Sequence, residues 1–125
     1  MNEEEWLDGL RHLSNDQIVQ AHFGLQDKIK HHYKLRAKGD NLQKAIHLCQ
    51  QHIALAPIAM AALKAKHDED IEQYRKVTGR EPPRSDFYSP GHHGYRQYAV
   101  ILRRQKEFDK LAELEEKKKS EGWAD

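Results

Sequence analysis

The chain is poor in the residues that form disulfides and β-sheets: it has one cysteine, one threonine and three valines in 125 positions. Cys49 has no partner for an internal disulfide, and we expect it to be a small buried side chain. No run of about 18 apolar residues occurs, so the sequence predicts no membrane span. The amino terminus is acidic, unlike the basic start of a secretory signal, which predicts a cytoplasmic protein.

Charge and helix-forming side chains are abundant instead. Basic residues number 21 and acidic residues 20, 38% of the residues are apolar, and the mean hydropathy is −0.98. Because the charges nearly cancel and the apolar residues recur at helical intervals, the composition predicts a folded, all-α chain with a thin core. Its length suits a single domain.

Apolar positions at three- and four-residue steps predict about six helices in antiparallel pairs. Proline is poorly tolerated inside a helix, so we expect Pro57 to end one helix and begin another. The prolines that follow Arg80 predict an extended loop. The expected divisions are an N-terminal capping helix over 1–13, a first hairpin over 15–57, a long helix over 58–79, a Pro-rich loop over 80–90, a second hairpin over 91–120 and a tail over 121–125.

The second hairpin carries a pattern of aromatic and small residues. In chain order they are Tyr95, Tyr98, Ala99, Leu102 and, after a polar turn, Phe108. This segment resembles a unit of the tetratricopeptide-repeat family, a pair of antiparallel helices of about 34 residues. An earlier partial match runs from Lys44 to Pro57. The chain departs from the pattern at Lys106, where the family commonly has glycine in the turn, and at His31 and His32, which replace an apolar and a small residue.

The resemblance implies a short, degenerate helical repeat, and an irregular helical bundle is the alternative fold. Such arrays need about three units for stability, so this one would cap its ends with extra helices or pair with a second copy. In the family, the first helix of each unit lines a concave groove for peptides. The partner-binding residues that this implies here are His93, Arg96, Arg103 and Arg104, with Val100 beside them and Tyr95 and Tyr98 as packing supports.

The charges of these residues indicate which kind of partner they could bind. The arginines of the second hairpin fall on one broad helical face, and guanidinium groups can clamp carboxylates with paired hydrogen bonds. A second basic stripe on the first long helix consists of Lys30, Lys34 and Lys38. We therefore predict a non-catalytic interaction or adaptor module, without a cofactor, that binds an acidic peptide or protein partner through a basic helical face.

Two other partner classes stay open. The basic stripes and tyrosines could contact the phosphates and bases of nucleic acid, although the balanced overall charge is unlike that of dedicated nucleic-acid domains. Histidines could bind a metal ion, and the candidates are His31, His32, His47 and His52. Their spacing does not place them on one helical face, so the sequence predicts no metal site.

The segment from Pro90 to Tyr95 is a further candidate for binding. Its two glycines precede a helix whose free amide groups could hold an anion beside His92 or His93. A nucleophile, a base and an orienting acid do not occur in a recognisable order anywhere in the chain, so we predict no enzymatic activity.

Overall fold

A computed structural model describes residues 2–125, and in this range the chain forms five α-helices and no β-strand. The helices are α1 (Glu3–Leu10), α2 (Asn15–Lys34), α3 (Asn41–Thr78), α4 (His93–Arg104) and α5 (Phe108–Glu121). The all-α prediction is therefore confirmed.

Local sequence signals set several helix ends. The Ser14 hydroxyl accepts a hydrogen bond from the Gln17 amide, and the Gln17 side chain accepts one from the Ser14 amide. This capping box satisfies two amides at the start of α2. Gly79 ends α3 with a φ of 68°, a left-handed conformation that costs glycine little. Lys106 adopts a φ of 58° in the turn before α5, at the position where the resemblance would have glycine.

Consecutive long helices pack as antiparallel pairs. In the first pair, an ion pair joins Asp16, in the first turn of α2, to Lys66, which lies far along α3. In the second pair, the Tyr95 hydroxyl near the start of α4 donates a 2.8 Å hydrogen bond to Glu121, the last residue of α5. Helix α4 also packs on α3, so α3 connects the two pairs.

Helix α3 continues through Pro57, so the prediction of a break at this residue, and with it the count of about six helices, was wrong. A proline inside a helix costs about 3 kcal/mol, because it removes one hydrogen bond and crowds the preceding turn. Pro57 itself is exposed, whereas Leu55, Ala56 and Ala59 are fully buried. Burial of a single leucine contributes about 1.5–3 kcal/mol. Packing of the neighbouring residues therefore offsets the cost of the proline.

Because α3 is continuous, one helix within residues 2–125 is long and apolar enough to cross a membrane, which the sequence expectation missed. Of its most apolar 18-residue window, 44% is buried inside the protein. The fully buried residues Cys49, Leu55 and Ala59 belong to the part of α3 that forms the core. Packing between helices therefore accounts for part of the apolar character of α3.

The Pro-rich loop after α3 returns along that helix. The ring of Phe87 lies 5.5 Å from that of His67, between centroids, and the His67 ring contacts the Ser85 carbonyl at 2.9 Å. Tyr88, by contrast, is 74% exposed. One of the two adjacent aromatic residues therefore anchors the loop.

The C-terminal tail folds back onto the start of α4. The Ala124 amide donates to the Pro90 carbonyl at 3.1 Å, and Ala124 pairs with Gly91 in an isolated bridge. This contact places Trp123 in the core, where only 5% of its surface is exposed. The loop before α4 and the tail after α5 are thus held together around one tryptophan.

Candidate functional site

Three histidines from three different helices meet in the core. His22 lies on α2, His52 lies on α3 and His92 caps the N-terminus of α4, and each is at most 2% exposed. The ring centroid of His52 is 4.4 Å from that of His22 and 4.0 Å from that of His92. Trp123 covers the group, stacked on His22 and edge-on to His92. We call His22, His52 and His92 the histidine cluster.

Backbone amides fix the tautomers of two of these rings. The Gly94 amide donates to Nδ1 of His52 at 3.0 Å, and the Tyr95 amide donates to Nδ1 of His92 at 3.1 Å. A ring nitrogen that accepts a hydrogen bond does not carry the proton, so in each neutral ring the proton is on Nε2. Nε2 of His92 accordingly donates to the His52 carbonyl at 3.2 Å.

One ring nitrogen from each member of the histidine cluster lies within 4.8 Å of the others, a spacing that raises the question of a metal ion. A ligand must offer an unshared lone pair, and the second nitrogen of a metal-bound histidine usually donates its proton to an oxygen. In His52 the second nitrogen faces an amide proton instead, and both nitrogens of His92 bond to the backbone. These hydrogen bonds oppose a three-histidine metal site unless the rings rearrange.

Burial keeps the histidine cluster neutral. Removal from water lowers the pKa of His22 to about 4, that of His52 to about 2 and that of His92 to about 3, because desolvation disfavours the charged imidazolium. The neighbouring rings lower the pKa of His52 further, since a proton on one ring repels a proton on the next. At pH 7 all three rings are therefore neutral. The rings of His52 and His92 accept or donate hydrogen bonds, whereas Nδ1 of His22 and Nε2 of His52 are buried without a partner.

The same contacts correct the anion site that the sequence suggested at the start of α4. The amides of Gly94 and Tyr95 are not available to a ligand, because His52 and His92 already accept from them. A Cβ on Gly94 would lie 2.6 Å from Nδ1 of His52, so this close approach requires glycine. The helix start is capped from within the protein, so the Gly94 and Tyr95 amides do not form the candidate anion site.

A group of positive charges lies beside the histidine cluster. His93 is partly buried, its Nε2 has no hydrogen-bond partner, and desolvation together with the charges of Lys30 and Arg96 lowers its pKa. Lys30 on α2 and Arg96 on α4, one from each predicted basic stripe, therefore lie near the same ring. Within residues 2–125 neither forms an ion pair. We call Lys30, His93 and Arg96 the basic face.

The remaining predicted partner-binding residues lie in different surroundings. Arg103 and Arg96 line a groove between α4 and α5, in which Arg103 approaches Glu115 to 3.7 Å. Arg104 is exposed and is not part of that lining. Tyr95 is 1% exposed and bonds to Glu121, so it packs in the core and its side chain is not available to a partner.

Sequence reasoning named two members of the histidine cluster without joining them. His52 was a metal candidate and His92 an anion neighbour, whereas His31 and His47 are exposed and His32 bonds to Asn41 at the turn between α2 and α3. His22 was missed. Its signal was its position in the buried stripe of α2, four residues after Ile18 and seven before Ile29.

Comparisons with protein families, with curated proteins and with solved structures find no match to this chain. The geometry of the histidine cluster and of the basic face therefore has to carry the functional interpretation.

Proposed function

We propose that the chain is a non-catalytic interaction module that binds an acidic peptide segment of a partner protein at the basic face. The observation that carries this proposal is that the positive charges of Lys30 and Arg96, on two different helices, add to desolvation in lowering the pKa of His93. The resemblance of α4 and α5 to a tetratricopeptide unit supports a peptide as the occupant, because the first helices of that family bind peptides.

The electrostatics of the basic face favour a negatively charged partner. Two cations held near a partly buried imidazole repel each other and oppose its protonation, as the lowered pKa of His93 reflects. A carboxylate placed among them would relieve this repulsion. The guanidinium of Arg96 lies over Gly91, where a Cβ would be 2.9 Å from its Nη2.

Charge alone would give weak binding. Exposed ion pairs contribute about 0.2–1 kcal/mol each, so the basic face needs apolar contacts beside it. The groove between α4 and α5 begins at Arg96 and includes Ala99, Val100 and Leu114. An acidic peptide with apolar residues between its carboxylates fits both surfaces.

The direct test is fluorescence anisotropy at pH 7.5 and low salt with a labelled ten-residue peptide of alternating Glu and Leu. We expect the double variant Lys30→Glu with Arg96→Glu to bind about tenfold or more weakly than the wild type, because both cations that face the carboxylates are reversed. The matched control is Lys28→Glu with Arg80→Glu, which makes the same charge change at other exposed positions. Equal losses in both variants would reduce the effect to net charge and refute the basic face as the site.

A nucleic acid is the competing partner class, and the same assay separates it. A labelled single-stranded ten-nucleotide DNA is titrated under identical salt, because phosphate contacts weaken steeply as salt increases. Tighter binding of this DNA than of the peptide, lost in the Lys30→Glu with Arg96→Glu variant, would overturn the peptide assignment.

A further inference from the structure

We propose that the histidine cluster is a pH-sensitive switch that holds α4, α5 and the tail on α2 and α3 at neutral pH and releases them in mild acid. The switch is a property of the free chain. Only its consequence, loss of partner binding in acid, rests on the proposed function.

The contacts of the histidine cluster link the two parts of the fold. His52 on α3 accepts from the Gly94 amide of α4, and His92 at the start of α4 donates to the carbonyl of His52. His22 on α2 stacks against His52, and Trp123 in the tail stacks against His22. Helices α2 and α3, the start of α4 and the tail therefore meet at these rings.

A proton entering this cluster finds no counter-charge on any of the elements packed around it. The groups that face it are the other rings of the cluster, His93 and Arg96 on α4, and Lys30 of α2 next to His93, and all of these repel a positive charge. The carboxylate of Glu121 at the end of α5 is bonded to the Tyr95 hydroxyl and, at 3.1 Å, to Nε1 of Trp123.

We call the arrangement with α4 held on α3 the closed form, and the arrangement with α4 released the open form. Protonation of the rings also conflicts with the hydrogen bonds of the closed form. A proton on Nδ1 of His52 or His92 would point at an amide hydrogen that now donates to that atom. The ring would have to turn or leave, and in either case the Gly94 or Tyr95 amide would lose its acceptor. The closed switch therefore accepts protons far less readily than the open one.

The sign of the pH effect follows from this difference. In the open form a histidine has the ordinary pKa of 6.5, whereas in the closed form burial lowers the pKa of His22 to about 4 and the others further. Above pH 6.5 neither form takes up protons, and the closed form keeps its full stability. Below pH 6.5 the open form gains protons that the closed form lacks. Between pH 7.5 and 5.5 each ring raises the opening constant about tenfold, so three raise it about 1000-fold.

Opening would also divide the basic face. Lys30 belongs to α2 and Arg96 to α4, so the two cations stay together only while α4 is held in place. An acidic partner bound at neutral pH would therefore be released as the histidine cluster takes up protons.

The test is amide hydrogen exchange followed by NMR at pH 7.5 and 5.5, with each rate corrected for intrinsic exchange. We expect the protection factors of the Gly94 and Tyr95 amides to fall about 1000-fold between these pH values. A change smaller than about threefold at both amides would overturn the proposal.

Two substitutions test how many rings of the histidine cluster contribute to the pH dependence. In His52→Asn and His92→Asn the side-chain oxygen can still accept from the amide but cannot titrate, so each should reduce the fall to about 100-fold and the two together to about tenfold. The control is His47→Asn on the exposed side of α3, which should keep the 1000-fold fall. An equal reduction in the control would contradict the assignment to the cluster.

A measurement on the wild type covers the case in which a variant does not fold. In the closed form, in which the Gly94 and Tyr95 amides are bonded to the rings, the Cε1 proton resonances of His22, His52 and His92 should stay at the positions of neutral imidazole down to pH 5.5. Titration of these resonances near pH 6.5 in the closed form would overturn the switch. Since all these experiments use the free chain, they stand whether or not the peptide binds at pH 7.5, and absent peptide binding would refute only the proposed function.

Discussion

Two groups of histidines in this chain share a residue type and little else. The histidine cluster is buried, and backbone atoms bond to the rings of His52 and His92. The second group, which we call the turn histidines, comprises His31, His32 and His47 near the turn between α2 and α3. His31 and His47 are exposed, and the ring of His32 bonds to the Asn41 side chain at 2.8 Å.

The difference shows that the partner of an imidazole, more than its spacing along the chain, decides its role. The turn histidines are close in sequence and were the metal candidates, yet His31 and His47 are exposed and His32 is half-buried. The cluster histidines are distant in sequence, and each contacts residues of another helix. Four experiments test whether the two groups differ in this way.

Acid should have the largest effect. Between pH 7.5 and 5.5 the free energy of unfolding is expected to fall by about 4 kcal/mol, because the lowered pKa values of the histidine cluster mean that the unfolded chain binds up to three more protons. Urea unfolding at the two pH values measures it. The triple variant His31→Gln, His32→Gln, His47→Gln should show the same fall. A fall below about 1 kcal/mol in the wild type would contradict the prediction.

Truncation of a cluster histidine should have the second-largest effect on the free energy of unfolding. His52→Ala removes the acceptor of the Gly94 amide and leaves a cavity between α3 and α4, which should cost about 3 kcal/mol at pH 7.5. His47→Ala, on the exposed side of the same helix, should cost less than about 0.5 kcal/mol. Urea unfolding of both variants tests this, and similar costs would remove the distinction between the two groups.

Truncation of His32 should cost less stability than truncation of a cluster histidine and more than truncation of an exposed one. His32→Ala loses the hydrogen bond to Asn41, a residue that also donates to the Lys38 carbonyl at 2.8 Å and so organises the turn. We expect a loss of about 1 kcal/mol, against almost none for the neighbouring His31→Ala. Thermal unfolding at pH 7.5 distinguishes them. No difference between these variants would make all turn histidines equivalent.

Added metal should have the smallest effect. At pH 7.5, zinc or nickel at 100 μM is expected to shift the melting temperature by less than about 1 °C, because both nitrogens of His92 and Nδ1 of His52 are already bonded to the backbone. A larger rise, abolished by His22→Gln and kept in the triple variant of the turn histidines, would show that the cluster rearranges into a metal site. A rise that only the turn-histidine variant abolishes would indicate a surface site.

Much of the fold was predictable, since it depends on interactions between residues close in sequence. The Ser14 cap, the start of α3 at Asn41 and the stop at Gly79 all follow from backbone amides and dihedral angles within a few residues. Pro57 is the exception among the helix signals. Its local cost is real, but burial of Leu55 and Ala56 against other helices outweighs it, and a sequence pattern does not report that burial.

The candidate site was predictable only in its parts. The sequence pattern is enough to show that the chain is helical, that His22 lies on the apolar stripe of α2, and that Lys30 and Arg96 belong to basic stripes. Only the packing of the helices brings charges of both stripes to act on His93 and places His22, His52 and His92 in one buried space. Helical periodicity fixes which way a side chain points from its own helix. Which residues it then meets depends on the packing of helices distant in sequence, and that packing also sets the hydrogen bonds and burial that give a histidine its chemistry.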